Sequence, residues 1–168
     1  MLTSLTRDFP GISRPAMRTF PAKKYGRSMN PQDTIRIAAA LIRRSDGRVL
    51  LVRKRATESF MQPGGKIEAR EHPEAALRRE LFEELGLELD ADELAYVGRF
   101  TAAAAHEPGR LVDAEIFRAD LSRPVAPRAE IEEILWIDPS APPSVKLAPL
   151  TRDELLPLCS GLAEDNRS

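Results

Sequence analysis

GKIEAREHPEAALRRELFEELGL, residues 65–87, sets a glycine turn in front of a helix with two unlike faces. Glu71-His72-Pro73 starts that helix, with proline in the first turn and an acid near the positive end of the dipole, and Gly86 ends it. Leu77, Leu81 and Leu85 recur every fourth residue, while Glu80, Glu83 and Glu84 fall at i, i+3 and i+4 and project from roughly the opposite side. The pattern predicts one buried face and one carboxylate cluster.

A run of glutamates on a helix is ordinarily a solvated face. Here no alternating lysines neutralise the three acids, so their charges repel unless a cation sits among them. Carboxylate oxygens select hard divalent ions, which points to Mg2+ or Mn2+. Glu71 is spaced to pair with Arg79 and hold the glycine loop against the helix, and the carbonyl of Gly64 or Gly65 is available to complete a metal shell.

Upstream, TIRIAAALIRR (34–44) and RVLLVRKR (48–55) flank Ser45-Asp46-Gly47, which predicts a hairpin closed by Asp-Gly turn chemistry. Arg53, Lys54 and Arg55 end its second strand, either as a solvated terminus or as contacts to a substrate phosphate. Phe60 and Met61 lead into Pro63-Gly64-Gly65, where proline is expected to end strand pairing and the glycines to form a sharp turn. Downstream, strands are expected over 94–101, 111–119 and 131–137, with a loop at 102–110, and a closing helix over 150–158.

Residues 1–28 carry six basic side chains against the single acid Asp8 and show no periodicity, so they read as a flexible basic arm. The arm is either an upstream extension, with Met29 as an alternative start, or a nucleic-acid tail. Residues 30–160 form the expected single domain, followed by a polar tail at 161–168. With 25 basic and 26 acidic residues, neither stable nucleic-acid binding nor attraction to an anionic membrane is indicated. The lone Cys159 excludes an internal disulfide, and with no apolar run of spanning length the expected location is cytoplasmic.

Gly65, five residues, Glu71, seven residues, then Arg79-Glu80-Leu81-Phe82-Glu83-Glu84-Leu85-Gly86-Leu87 resembles a complete Nudix box, the signature of the Nudix (MutT-like) hydrolases. The resemblance implies an α/β fold, an alpha/beta/alpha sandwich with a mixed sheet between helices. It also implies metal-dependent hydrolysis of a nucleoside diphosphate linked to another moiety. Carried onto this chain, it makes Glu80, Glu83 and Glu84 ligands of Mg2+ or Mn2+, with a Gly64 or Gly65 carbonyl assisting, and gives Glu71 and Arg79 structural roles. The general base is Glu83 itself or an acid outside the box, with Glu133, Glu130 and Glu115 as candidates in that order. Arg53, Arg55 and Lys66 are candidate phosphate contacts, and Phe60 or Phe100 could stack on a base. The box is intact, which favours an enzyme over a catalytically idle binding module. A nucleoside triphosphate, standard or oxidised, is the default substrate, with a nucleotide sugar or another diphosphate conjugate as the alternative. Thr101-Ala102-Ala103 stands where ADP-ribose hydrolases of the family resemble one another in having proline, which weighs against that substrate. A homodimer is the family-level expectation.

Overall fold

Ile35, Ile37, Leu41 and Ile42 flank three alanines in TIRIAAALIRR, and this run forms the central strand, β1 (Thr34–Arg44), whose interior is buried from Ala38 to Ile42. The computed structural model describes residues 33–141 and 144–159; the basic arm 1–28, Met29 and the tail 161–168 lie outside the described residues. After β1 come β2 (Val49–Lys54), β3 (Gly64–Lys66), α1 (Pro73–Leu85), a single tight turn at Ala91–Glu93, β4 (Ala95–Ala103), β5 (Leu111–Leu121) and β6 (Ile131–Ile137). A closing helix, α2, covers 149–159 and widens to π geometry over Thr151–Leu155.

The strands form one mixed sheet in the order β4-β5-β1-β2-β6. One edge of β1 pairs with β5 in parallel from Thr34↔Leu111 to Arg44↔Leu121. Its other edge serves two antiparallel partners, β2 at Arg43↔Val49 and β3 at Ile37↔Lys66 through Ala39↔Gly64. The glycines are therefore paired strand, not the turn expected after Pro63. Having no side chains of their own, they lie flat against Ala38 and Ala39, and the Ala40 N–H is still taken by the Pro63 carbonyl at 3.0 Å.

Strand parity sends β1 side chains to two cores. Ala38, Ala40 and Ile42 meet Leu77, Leu81 and Leu85 of α1, while Ala39 and Leu41 pack with Leu150, Leu155 and Leu156 of α2. Helix, sheet and helix form the expected sandwich. Gly86 caps α1 in the left-handed region (φ 63°), and the Leu87 N–H reaches back to the Leu81 carbonyl at 3.2 Å, which stops the helix cleanly. The strand expected at 94–101 runs on to Ala103 and shortens the following loop.

Candidate active site

The three acids of α1 do not share one exposed face. Glu84 belongs with the leucines, its residue only 1% exposed, whereas the Glu83 side chain is 53% exposed. Glu84 is four residues beyond Glu80 and three beyond Leu81, and it lies where α1 meets the glycine strand. There the Gly64 N–H donates to its Oε2 at 3.0 Å, and Lys54 Nζ stands 3.1 Å from its Oε1 as an ion pair without a hydrogen bond. Burial pushes Glu84 up to about 7, against the opposing pull of Lys54 and the Gly64 amide. Burial alone would lower Lys54, but Glu84 and its hydrogen bond to Glu130 outweigh it and the net shift is upward.

Arg79 ties the box together. Its Nε and Nη2 hold the two oxygens of Glu71 at 2.9 and 3.0 Å, Nη1 holds Glu80 at 2.7 Å, and Nη2 also donates to the Lys66 carbonyl at 3.2 Å. Glu71 in turn accepts from the Glu68 N–H at 3.0 Å, so the loop after β3 is stitched to the helix. The hydrogen bonds from Arg79 hold the Glu71 carboxyl below the ordinary carboxylate range. Gly65 is the floor under Glu80: a Cβ there would lie 2.3 Å from the Glu80 Cδ.

These residues form one wall of a cavity of about 480 Å³, a volume suited to a nucleotide-sized ligand. Glu80, Glu83, Glu84, Gly64, Gly65 and Lys66 line it, together with Lys54 and Glu130. Beyond them it continues between Ile35, Ile37 and Val112 on the sheet and Leu150 on α2, under the loop that carries His106 and Glu107. Lys66 reaches that loop, with its Nζ 3.4 Å from Glu107.

Other candidates named from sequence lie elsewhere. Arg53 is turned to Glu132 and Glu133 at 2.8 and 3.0 Å, so the candidate phosphate contact and the first candidate base outside the box neutralise each other at the sheet edge. Neither lines the cavity, and neither does Arg55. Phe60 is buried in the α2-side core with Arg53 over its ring, and Phe100 packs against the same core. Glu115 accepts from the Tyr96 hydroxyl at 2.7 Å on another part of the sheet. Of the four candidate bases, the structure brings Glu83 and Glu130 to the cavity. Lys54 was overlooked as a partner of Glu84, although its strand parity with Leu50 and Val52, both in the α1-side core, was open to reading.

Among the described residues, no three acidic, histidine or cysteine side chains converge closely enough to grip a metal ion, because Arg79 draws Glu80 and Lys54 draws Glu84. The donor chemistry nonetheless fits a hard divalent cation. The wall's acidic side chains offer carboxylate oxygens, and Glu84 Oε1, paired with Lys54, is buried without a hydrogen bond. The glycine contact that the structure does show is the Gly64 amide donating to Glu84.

Comparison with known proteins finds that residues 33–159 match the NUDIX domain. The chain belongs to the Nudix hydrolase family. A MutT-like protein of Streptomyces ambofaciens is 31% identical over 110 residues, which cover 65% of this chain and 66% of that protein. The CTP pyrophosphohydrolase of Escherichia coli is 32% identical over 68% of this chain and 84% of its own length. The 8-oxo-dGTP diphosphatase of Haemophilus influenzae is 44% identical over 57 residues, 32% of this chain and 42% of that protein. The present chain thus spans about two thirds or less of two of these relatives. Among solved structures, the MutT Nudix hydrolase of Burkholderia pseudomallei superposes with a TM-score of 0.60 at 26% identity, over 71% of this chain and 93% of the other. Against this Nudix background, the box contributes Gly65, Lys66, Glu80, Glu83 and Glu84 to the cavity wall, with Glu71 and Arg79 bracing it from behind.

Proposed function

We propose that this Nudix protein is a pyrophosphohydrolase that converts a nucleoside triphosphate to the monophosphate and pyrophosphate with Mg2+ or Mn2+. One observation carries the reading: a single cavity joins the carboxylate wall of α1 to an apolar chamber between sheet and α2, so phosphates and base have separate quarters in one space. The relatives named for CTP and 8-oxo-dGTP support a nucleotide as the occupant.

Glu80, Glu83 and Glu84 would hold the divalent cation, which when bound neutralises phosphate charge and lowers the pKa of a water. Attack of water oxygen on phosphorus at the α–β anhydride breaks the bridging P–O bond and releases pyrophosphate, and the proton of the water must go to a base. Glu83 is the most exposed of the three α1 carboxylates, its nearest cation being Arg79 at 3.8 Å, and its oxygens accept that proton. Glu130 is engaged by Lys54. Lys66 supplies positive charge at the mouth, and Arg79 positions Glu80.

The test is a panel of standard and oxidised nucleoside triphosphates incubated with magnesium and with manganese, with pyrophosphate and monophosphate quantified. Metal-dependent release of pyrophosphate from at least one of them is expected. Release of none, or release of inorganic phosphate alone, would overturn the proposal.

A further inference from the structure

Two cations hold the carboxylates of α1, and they hold them in different ways. Arg79 is fixed by four hydrogen bonds, to both oxygens of Glu71, to Glu80 and to the Lys66 carbonyl. Lys54 has a flexible stem and a hydrogen bond to Glu130, whose own side chain is 58% exposed. Its contact with Glu84 is an ion pair at 3.1 Å to an oxygen that has no hydrogen bond. Such a pair offsets the desolvation of its two charges poorly, so it exchanges readily for a stronger cation.

The main chain brings Lys54, Glu84 and Glu130 to one spot. Lys54 ends β2 opposite Ile131, the Arg55 N–H donates to the Glu130 carbonyl at 2.9 Å, and the Arg128 N–H donates to the Glu84 carbonyl at 2.8 Å. The lysine can therefore shift its ammonium while its backbone stays in place. Lys54, Glu84 and Glu130 all line the cavity. Glu84 Oε2 is taken by the Gly64 N–H at 3.0 Å, which leaves Oε1 as the oxygen without a hydrogen bond, and Lys54 stands against it. Two cations on one carboxylate oxygen repel each other, so a metal ion gains Oε1 only as Lys54 gives it up.

We infer that Lys54 is an internal competitor for the divalent cation: it holds Glu84 Oε1, yields that oxygen to the metal, and keeps Glu130 as its partner when it does so. This rests on Glu84 being a metal ligand in the proposed pyrophosphohydrolase and adds to that reading what governs the loading of the site. The affinity of the chain for Mg2+ is thereby held below what the same carboxylates would give without the lysine charge.

The experiment titrates Mg2+ alone into wild type, Lys54→Met, Lys54→Gln and Lys54→Arg by calorimetry at about pH 8.5, where carboxylates are ordinarily ionised. Two buffers of different ionisation heat count any protons that leave with binding. Thermal melts verify folding, and Lys54→Gln decides the matter if Lys54→Met does not fold. Both neutral variants are expected to bind Mg2+ about tenfold more tightly than wild type, the scale of coupling between two competing cations at one site. Lys54→Arg keeps the charge and should stay close to wild type. A merely structural role for Lys54 would lower the melting temperature and leave Mg2+ affinity unmoved. Equal or weaker Mg2+ binding by the neutral variants, or equal tightening in Lys54→Arg, overturns the inference, and metal-dependent hydrolysis by wild type would then leave the catalytic reading standing. Tighter Mg2+ binding by the neutral variants without hydrolysis by wild type upholds the inference and removes the catalytic reading. Absence of Mg2+ binding by all four proteins removes both.

Discussion

Replacing Gly65 with alanine separates catalysis from folding at a single atom. The new Cβ would stand 2.3 Å from the Glu80 Cδ and 2.5 Å from both carboxylate oxygens. Ordinary carbon contacts lie near 3.5–4.0 Å, so the carboxylate must retreat by at least about 1 Å. It can, because it is the end of a flexible side chain, but the move draws it off Arg79 Nη1, now 2.7 Å away. A displacement of that size at a reacting centre can cost about a hundredfold in rate, or ~2.7 kcal/mol. Stability should change by less than about 1 kcal/mol, since the main chain at Gly65 is not in the left-handed region and no backbone atom is struck. Gly64→Ala is the contrast: φ is 144°, and its Cβ would lie 2.2 Å from the Ala38 carbonyl oxygen, backbone against backbone. That variant should lose about 2 kcal/mol or more of stability through strain and lost β1–β3 pairing. Pyrophosphate release and thermal melts on the two variants decide the matter. Gly65→Ala turning over within threefold of wild type, or melting as early as Gly64→Ala, would refute the reasoning.

Glu83→Gln should leave the melting temperature nearly unchanged, because the side chain is half exposed and only 3.8 Å from its nearest cation, yet lower kcat by about a hundredfold, ~2.7 kcal/mol; near-normal turnover would remove Glu83 from the reaction. Glu84 titrates near 7 in the folded chain against an ordinary 4.5. The folded state thus retains a proton that the unfolded state releases, and stability in metal-free buffer is full below pH 4.5 and falls as pH rises through 7, by up to ~3 kcal/mol. Glu84→Gln should flatten that slope in urea titrations across pH 4.5–8, and an unchanged slope would place its origin elsewhere. Glu133→Gln and Arg53→Ala should each keep kcat/KM within about threefold, since they pair with each other away from the cavity; a hundredfold loss in Glu133→Gln would instead identify it as the base.

Helix α1, its proline start and glycine stop, and the long strands were legible because each rests on periodicity or capping within a dozen neighbouring residues. The box residues could likewise be picked out by spacing. What escaped was non-local. Gly64 and Gly65 carry no side-chain pattern, and their pairing depends on an edge of β1 left open beside β2. The burial of Glu84 depends on which side of the sheet receives the helix, a choice that the leucine stripe alone does not make. Lys54 could be placed opposite Arg53 by parity, but not beside Glu84 and Glu130. The pairing of Arg53 with Glu133 follows from the β2–β6 register, regular from Val49↔Ile137 to Arg53↔Glu133, which no local residue announces. Gln62 and Thr151 meet across 89 positions, with nothing in either neighbourhood to suggest the other.

The cavity draws its walls unevenly from the two halves of the chain. Every carboxylate of the box lies before residue 88, yet Glu107, Val112, Glu130, Leu150 and Thr151, which close the space around them, all come later. β1 cannot complete its long parallel edge until β5, more than sixty residues beyond the end of β1, has been made. During synthesis the acidic helix therefore exists for some time as a signature without a chamber. A fragment ending at Leu87 would contain the whole box and lack Leu150 and Thr151, so the far side of the cavity is closed only when α2 arrives.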